Sequence, residues 1–188
     1  MPSDEPGSTA IVVATPQADA VTGALYRLYS KAGREAMFPH VTLLVPFVAA
    51  SAIDEDVEAR LRAVLQRFAP FEYSLERPAR FPEGVLYLAP EPAAPFVELV
   101  RALSAEFPEQ RPYDGIHETI VPHATVAVSD DRRLLDRLER ELASKLPITG
   151  RVVEVTIVER GDDLRWRLRS AHPLGSVKSP HRGAAERG

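Results

Sequence analysis

The sequence predicts an α+β fold in which one structural unit occurs twice. Segments with the apolar or alternating pattern of strands are interleaved with segments whose apolar residues recur at helical spacing. The order strand, helix, strand, helix, strand runs over about residues 11–77 and again over about 85–158, and the middle strand of each unit carries Pro-His-x-Thr, at 39–42 and at 122–125. We therefore predict a bilobal molecule with a pseudo-twofold axis, in which antiparallel sheets line a central cleft and helices lie outside.

The length of the chain, 188 residues, suits one such domain. We expect this domain to span residues 10–172. It would lie between a disordered N-terminal segment, 1–9, and a disordered C-terminal tail, 173–188, which has no apolar periodicity.

The first unit is predicted to consist of a strand at 11–15, a helix, a strand at about 38–47, a second helix and a strand at 71–75. Ser51 with Asp54 resembles a capping box that opens the second helix. On the first helix, the apolar spacing predicts a buried stripe made of Val21, Ala24, Leu25, Leu28, Tyr29 and Ala32.

The second unit repeats this order. It is predicted to hold a strand at 85–88, a helix, a strand at about 119–128, a helix and a strand at 152–158. Turn residues at Gly161 and after it predict a hairpin into a last strand near 164–170.

The repeated motif is the candidate functional feature of the chain. Successive side chains of a strand point to opposite faces, so His40 and Thr42 share one face, as do His123 and Thr125. One such match could be only a histidine hydrogen-bonded within a strand. Two copies, both after proline and both in corresponding predicted strands, favour a shared site in the cleft.

Paired histidines and threonines suit the opening of a cyclic phosphodiester. This reaction needs a base that activates water and an acid that protonates the departing ribose oxygen, and imidazole, with its pKa of about 6.5, can do either near neutral pH. In-line displacement requires the two groups on opposite sides of phosphorus. We predict that His40 and His123 divide the catalytic roles, in an order the sequence leaves open. Thr42 and Thr125 would donate hydrogen bonds to the phosphate oxygens.

Three aromatic residues are further candidates for substrate binding. Tyr113, in the loop before the second motif, and Phe81, before strand 85–88, could stack on a nucleobase or could be ordinary packing. Tyr87 alternates with apolar neighbours and is predicted to face the cleft. A further histidine near the second motif, His117, is interpreted as a solvated loop residue.

The last strand carries Arg165, Arg167 and Arg169 at alternate positions, which places three guanidinium groups on one face. This face could be a solvated outer surface or could attract the substrate phosphate, with Arg167 as the candidate contact. His172 and His181, in or near the C-terminal tail, are not expected to take part.

The composition excludes several classes of function. The chain has no cysteine, which excludes disulfides, thiolate catalysis and cysteine-bound metals. Its net charge of −4 argues against a protein that coats nucleic acid through bulk positive charge. No segment has the roughly 20 apolar residues of a membrane-spanning helix, the first residues lack the pattern of a signal peptide, and no His/Asp/Glu group has metal-ligand spacing. We expect a cytoplasmic monomer that requires no metal or other cofactor and does not bind membranes.

The doubled motif resembles that of the 2H phosphoesterase superfamily. The stretches Phe-Pro-His-Val-Thr-Leu at 38–43, Pro-Tyr-Asp-Gly at 112–115 and Val-Pro-His-Ala-Thr-Val at 121–126 look most like its 2′-5′ RNA ligase-like branch. The resemblance covers about residues 10–172. It implies a bilobal α+β fold and metal-independent chemistry on 2′,3′-cyclic phosphates or 2′-5′ phosphodiester linkages, without specifying the substrate.

Two functions from different classes follow. The first is a phosphodiesterase that opens the 2′,3′-cyclic phosphate of an RNA end or a small cyclic nucleotide, and that in the reverse direction would act as a 2′-5′ RNA ligase. The second is a non-catalytic module that binds a nucleotide or RNA end in the same cleft. The complete set of two histidines and two threonines favours the enzyme, since a binding module would not need both imidazoles.

Overall fold

The computed structural model describes residues 5–110 and 120–175. Within these ranges, eight strands form one sheet, and every neighbouring pair of strands is antiparallel. The strands are β1 (Thr9–Ala14), β2 (His40–Leu44), β3 (Phe71–Phe81), β4 (Val85–Glu91), β5 (Ala124–Val128), β6 (Ile148–Val152), β7 (Glu154–Arg160) and β8 (Trp166–Pro173).

The helices begin where the sequence offers a proline or a capping side chain. Asp54 accepts the backbone N–H of Val57 (2.9 Å), so this aspartate is the N-cap of its helix, while Ser51 lies in a short 3-10 turn before it. Asp131 caps a later helix by accepting from two backbone N–H groups. The described helices are α1 (Pro16–Tyr29), α2 (Lys31–Arg34), α3 (Glu55–Leu65), α4 (Ala94–Glu106) and α5 (Arg132–Ala143), with the 3-10 turn at Ala50–Ala52. Among the described residues, no helix has the length and apolar character needed to cross a lipid bilayer.

The strand order β6-β3-β4-β5-β2-β1-β7-β8 places the two motif strands, β2 and β5, side by side at the centre. The structure confirms the predicted α+β fold with antiparallel strands. The halves of the sheet, however, do not follow the sequence units 11–77 and 85–158. β3, from the first unit, pairs with β4 and β6, and β7, from the second unit, pairs with β1. Each half therefore contains strands from both units.

The two faces of the sheet are packed differently. The main apolar cluster contains alternate residues of the central strands, such as Val41, Leu43 and Ala124, together with the buried sides of the helices. A smaller cluster on the other face includes Val12 and Val158. The motif residues alternate along their strands with residues of the main cluster. Their side chains therefore lie on the opposite face of the sheet, which the main cluster does not cover.

Several elements differ from their predicted extents. β3 continues to Phe81 and forms a hairpin with β4, and the predicted strand at 152–158 is two strands, which pair with β3 and with β1 respectively. Order also begins earlier and ends later than predicted, since β1 starts at Thr9 and Leu174 is buried beyond β8.

The buried side of α1 is shifted from the predicted stripe. Its fully buried residues are Ala18, Thr22, Gly23 and Tyr26, whereas Leu28 is 60% exposed. The Thr22 hydroxyl donates to the Ala18 carbonyl (2.9 Å), which allows a polar residue on the buried side. Part of the predicted stripe, Val21, Leu25 and Tyr29, packs against the main cluster as half-buried side chains.

Candidate active site

The two motifs present their polar residues on the same face of the sheet. His40, Thr42, His123 and Thr125 are half-buried, while the residues that alternate with them along β2 and β5 are buried in the core. The predicted alternation is therefore present in both strands.

The pairing of the strands brings the four side chains together. Val41 pairs with Ala124 across the antiparallel β2–β5 contact. The flanking positions then lie with His40 beside Thr125 and with Thr42 beside His123. The histidines occupy one diagonal of this group, where positions are roughly 7–8 Å apart and β carbons somewhat closer. A phosphate group can be accommodated between imidazoles at this spacing.

Each histidine is oriented by the segment that leads into its own strand. The Nδ1 atom of His40 lies 2.8 Å from the carbonyl oxygen of Phe38, and the Nδ1 atom of His123 lies 2.8 Å from the carbonyl oxygen of Val121. Because a carbonyl can only accept, Nδ1 carries the proton in both rings. In a neutral ring, the lone pair is then on Nε2, on the far side from the carbonyl. The two sites match in this detail, as expected for a duplicated unit.

The surroundings of His40 favour its neutral form. Burial lowers the pKa of His40 from 6.5 to about 4, against the raising effect of its hydrogen bond to Phe38, and the charge of His123 lowers it as well. The effect of His123 reflects the proximity of the two rings. At neutral pH, His40 is therefore a neutral imidazole that can accept a proton at Nε2.

Aromatic residues lie beside His123. Phe81 and Tyr87 stack on each other, with ring centroids 4.3 Å apart and planes at 25°. Both meet the His123 ring edge-on, at centroid distances of 4.9 and 5.4 Å. Tyr87 also pairs with Thr125 across β4 and β5. The structure thus brings both of these predicted aromatic residues to the second motif.

Two further aromatic residues, which were not predicted from the sequence, lie beside His40. Tyr26 and Phe38 meet its ring edge-on at 6.2 and 6.3 Å. Phe38 stands two residues before His40, and this spacing was a usable signal for a shared face. Tyr26 comes from α1, and no local pattern connects it with the motif.

Arg167 is not beside the histidines. It lies opposite Glu159 on β7, on the face of the sheet to which Ile11 and Ile157 of the main cluster belong, whereas Thr42 lies opposite Val12, in the smaller cluster on the other face. Arg167 is exposed and donates to Asp163 (2.6 Å). The arrangement corresponds to the solvated outer surface, and Arg167 is not part of the group of four.

The other predicted positions lie elsewhere or outside the described residues. Tyr113, His117 and His181 fall outside the described residues. His172 belongs to β8 and not to a tail; it is buried and its Nε2 lies 2.9 Å from the Ser170 hydroxyl. Within residues 5–110 and 120–175, no group of three or more His, Cys, Asp or Glu residues has a metal-binding arrangement.

Solved structures with similar folds include nucleotide-bound proteins. E. coli LigT complexed with 3′-AMP has 16% sequence identity and a TM-score of 0.58, over 90% of this chain and 99% of LigT. E. coli LigT complexed with NADP+ has 15% sequence identity and a TM-score of 0.55, over 92% of this chain and 99% of LigT. The protein TT0787 of Thermus thermophilus has 19% sequence identity and a TM-score of 0.57, over 90% of this chain and 98% of TT0787. Identities this low show a common fold. No curated protein sequence matches the chain.

The sequence itself also matches a family model. The model is that of the 2′-5′ RNA ligase superfamily, and the match covers residues 13–164, which include both motifs and most of the sheet. This agrees with the resemblance to 2H phosphoesterases that the doubled motif indicated. The chain therefore belongs to the 2′-5′ RNA ligase superfamily.

Proposed function

We propose that this protein is a metal-independent phosphodiesterase that hydrolyses 2′,3′-cyclic phosphates of RNA ends or nucleotides. The observation that carries the proposal is the matched pair of His-x-Thr motifs on adjacent central strands, each with its imidazole Nδ1 held by a backbone carbonyl. Membership of the superfamily supports a phosphodiesterase-type activity.

We assign His40 as the general base because its lowered pKa leaves Nε2 unprotonated at neutral pH. Nε2 of His40 takes a proton from water, whose oxygen attacks phosphorus. Protonated His123 donates a proton to the ribose oxygen as its bond to phosphorus breaks. The cyclic diester becomes a monoester, and exchange of protons with solvent restores His40 to the neutral form and His123 to the protonated one.

The threonines act on the charge that develops during this step. The hydroxyls of Thr42 and Thr125 lie on the other diagonal of the group, where they can donate to the non-bridging oxygens of the phosphate. Fixed donors of this kind stabilise the transition state more than the ground state because the oxygens gain charge as water attacks.

The stacked pair of Phe81 and Tyr87 offers an apolar surface beside His123 for a nucleobase or ribose. The same site could run in the ligase direction. If the 5′-hydroxyl of a second RNA attacks in place of water and O3′ departs, the product is a 2′-5′ linkage. LigT, which shares the fold, has been solved with 3′-AMP and with NADP+, and a nucleotide substrate for this chain is consistent with that.

The test is turnover by EDTA-treated protein, followed by chromatography of the products from 2′,3′-cyclic nucleotides and from an oligonucleotide ending in a cyclic phosphate. His40→Gln and His123→Gln should each lower kcat by roughly 10²- to 10⁴-fold, because each removes one proton-transfer group. His172→Gln, which replaces a histidine on β8 outside the site, is the matched control and should retain turnover.

Two outcomes would contradict the proposal. Near-normal activity of either motif variant on every substrate would mean that the histidines do not share the proton transfers. Tight nucleotide binding without turnover by the parent protein would instead support a non-catalytic binding module.

A further inference from the structure

A surface groove of about 570 Å³ lies next to the site on the side of His40. It is formed by α1, α2, the segment that leads into β2 and the turn between β7 and β8. Its lining includes Asp19, Arg27, Arg34, Met37, Phe38 and Arg165.

Phe38 connects this groove to the catalytic group. This residue lines the groove, and its ring meets the imidazole of His40 edge-on, with centroids 6.3 Å apart. The backbone carbonyl of the same residue holds Nδ1 of His40. A polymer whose reacting end lies between the histidines can therefore continue past Phe38 into the groove.

The groove is basic although the protein as a whole is acidic. Three arginines line it, against one carboxylate, Asp19, which is paired with Arg27 at 2.8 Å. Arg34 and Arg165 are both exposed. Arg34 uses one N–H to donate to the Leu28 carbonyl (3.0 Å), which fixes the guanidinium and leaves further donors on the same group. A local excess of positive charge in a chain of net charge −4 indicates an anionic occupant.

We propose that this groove binds the RNA strand on the 5′ side of the cyclic phosphate, with Arg34 and Arg165 contacting its backbone phosphates and Phe38 packing against the nucleotide nearest the reacting end. The inference rests on the proposed function and narrows its substrate class, since a 2′,3′-cyclic phosphate at the end of an RNA has a chain only on its 5′ side. Guanidinium groups bind phosphates in two-pronged geometry, and aromatic rings stack on unpaired bases, so the combination suits single-stranded RNA.

A second groove provides a matched control. It has a volume of about 470 Å³ and contains two exposed arginines, Arg67 and Arg101, with one aromatic residue and one acid, Phe68 and Glu98. Its composition is similar, but it lies on α4 and at the end of α3 and not on the segment that leads into β2.

The first experiment measures RNA binding directly, by fluorescence anisotropy of a labelled single-stranded oligonucleotide with a 2′,3′-cyclic phosphate end, over a range of salt concentrations. For the double variant Arg34→Gln/Arg165→Gln we expect the slope of log affinity against log salt to become smaller by about 1.4, because each phosphate contact on a single strand contributes about 0.7. We also expect affinity at low salt to fall on the order of tenfold. Arg67→Gln/Arg101→Gln should behave as the parent protein does.

The second experiment compares kcat/KM for the oligonucleotide with kcat/KM for a 2′,3′-cyclic mononucleotide. The ratio should exceed one in the parent protein and should fall in the Arg34/Arg165 variant but not in the control variant. Thermal unfolding of both variants checks that they are folded.

The two proposals can fail separately. Turnover of both substrates with no effect of the Arg34/Arg165 variant on the salt slope or the ratio would overturn the groove assignment and leave the phosphodiesterase intact. Absence of turnover, with the predicted change in salt slope, would support the groove and contradict the enzyme. The assignment to RNA would be overturned if an acidic polypeptide of matched charge competed for the protein as well as unlabelled RNA does. It would also be overturned if the parent protein did not bind RNA at low salt.

Discussion

The motif histidines are positioned by very short-range structure. In both motifs Nδ1 is held by the carbonyl two residues earlier, in the segment that leads into the strand, so the local backbone at each motif fixes both the ring and its tautomer. The motif therefore specifies its own geometry, and its duplication supplies two imidazoles of the same tautomer. The aromatic neighbours of the two rings differ, since His40 lies beside Tyr26 and Phe38 and His123 lies beside Phe81 and Tyr87. Burial lowers the pKa of His40.

This lowered pKa predicts a pH dependence of stability. His40 titrates at about 4 in the folded protein and at about 6.5 when unfolded. Between these values the unfolded chain binds more protons, so stability is lost as pH falls from about 6.5 to about 4, by at most about 3 kcal/mol. Above pH 6.5 this contribution is constant.

The contribution of His40 to this pH dependence is measured by urea unfolding of the parent protein and of His40→Gln at pH 7.5 and pH 4.5. The variant should lose less stability than the parent protein over this interval. The variant His172→Gln is the comparison, because the pKa of His172 is lowered by burial too. An identical loss for the parent protein and His40→Gln would show that His40 is not held neutral by the fold.

The threonine hydroxyls can be tested by an almost isosteric change. Thr42→Val and Thr125→Val keep the shape and strand preference of the side chain but remove the donor, so each should lower kcat by roughly 10²-fold with a smaller effect on KM. Thr156→Val, on the same face two strands from β2, should leave kcat unchanged. Loss of substrate affinity with normal kcat would instead assign the hydroxyls to ground-state binding.

At the scale of single residues, the sequence predicted the group of two histidines and two threonines well, and it predicted the residues around this group in part. Alternation along a strand correctly grouped His40 with Thr42. It could not place the arginines, because Arg165 precedes β8 and lines the groove beside Phe38, whereas Arg167 lies within β8 opposite Glu159. Tyr26 was missed because a contact from a helix to a distant strand leaves no local pattern.

The β3–β4 hairpin is the element on which the aromatic part of the site depends. Its turn places Phe81 and Tyr87 on the two strands so that they stack beside His123. Gly84 in this turn has φ +81°. A β carbon there would collide with the carbonyl oxygen of Ser129, whose N–H donates to the Gly84 carbonyl (3.0 Å).

Gly84→Ala should therefore reduce stability by about 2 to 4 kcal/mol, through backbone strain and steric overlap together. Gly7→Ala isolates the contribution of backbone strain, because Gly7 has nearly the same φ, +77°, but nothing lies within 4 Å of an added β carbon. We expect a cost of about 1 kcal/mol there. Urea unfolding measures both, and equal costs would show that the contact with Ser129 is not tight.

The elements that were predicted least accurately are those whose limits are set by distant neighbours. β3 was predicted to end near residue 75, because Arg77, Pro78 and Arg80 break the apolar alternation, yet pairing with β4 continues it to Phe81. The strands β6 and β7 were merged because only Val153 separates them. Apolar periodicity reports the conformation of a segment, whereas strand pairing decides where it ends.

At the scale of the whole molecule, the exchange of strands joins the two halves of the sheet. The duplication was visible in the sequence because the motif and the element order repeat. The exchange was not, because β3 has the same alternating pattern whichever strand it pairs with. In the structure, β1 and β2 pair with each other, and every other neighbour of the first unit's three strands comes from the second unit.

This connectivity predicts that the two sequence units cannot fold separately. In a fragment of residues 1–82, β3 lacks both of its partners and β1 lacks β7, so that β1–β2 is the remaining strand pair. In a fragment of residues 83–188, β6 lacks β3. The main apolar cluster also draws its residues from both fragments. Each fragment would then expose apolar surface that its own strands and helices cannot cover.

We expect each fragment alone to give poorly dispersed amide NMR spectra, and an equimolar mixture to recover dispersion together with turnover of a cyclic nucleotide. The intact chain should unfold in urea in one transition, with circular dichroism and tryptophan fluorescence coinciding. If either fragment folded alone with native-like dispersion, its half of the sheet would be self-sufficient and the exchanged strands would contribute little. If both stayed unfolded in the mixture, the connection between β3 and β4 would be required for assembly, because an uncut hairpin would be needed to align the halves.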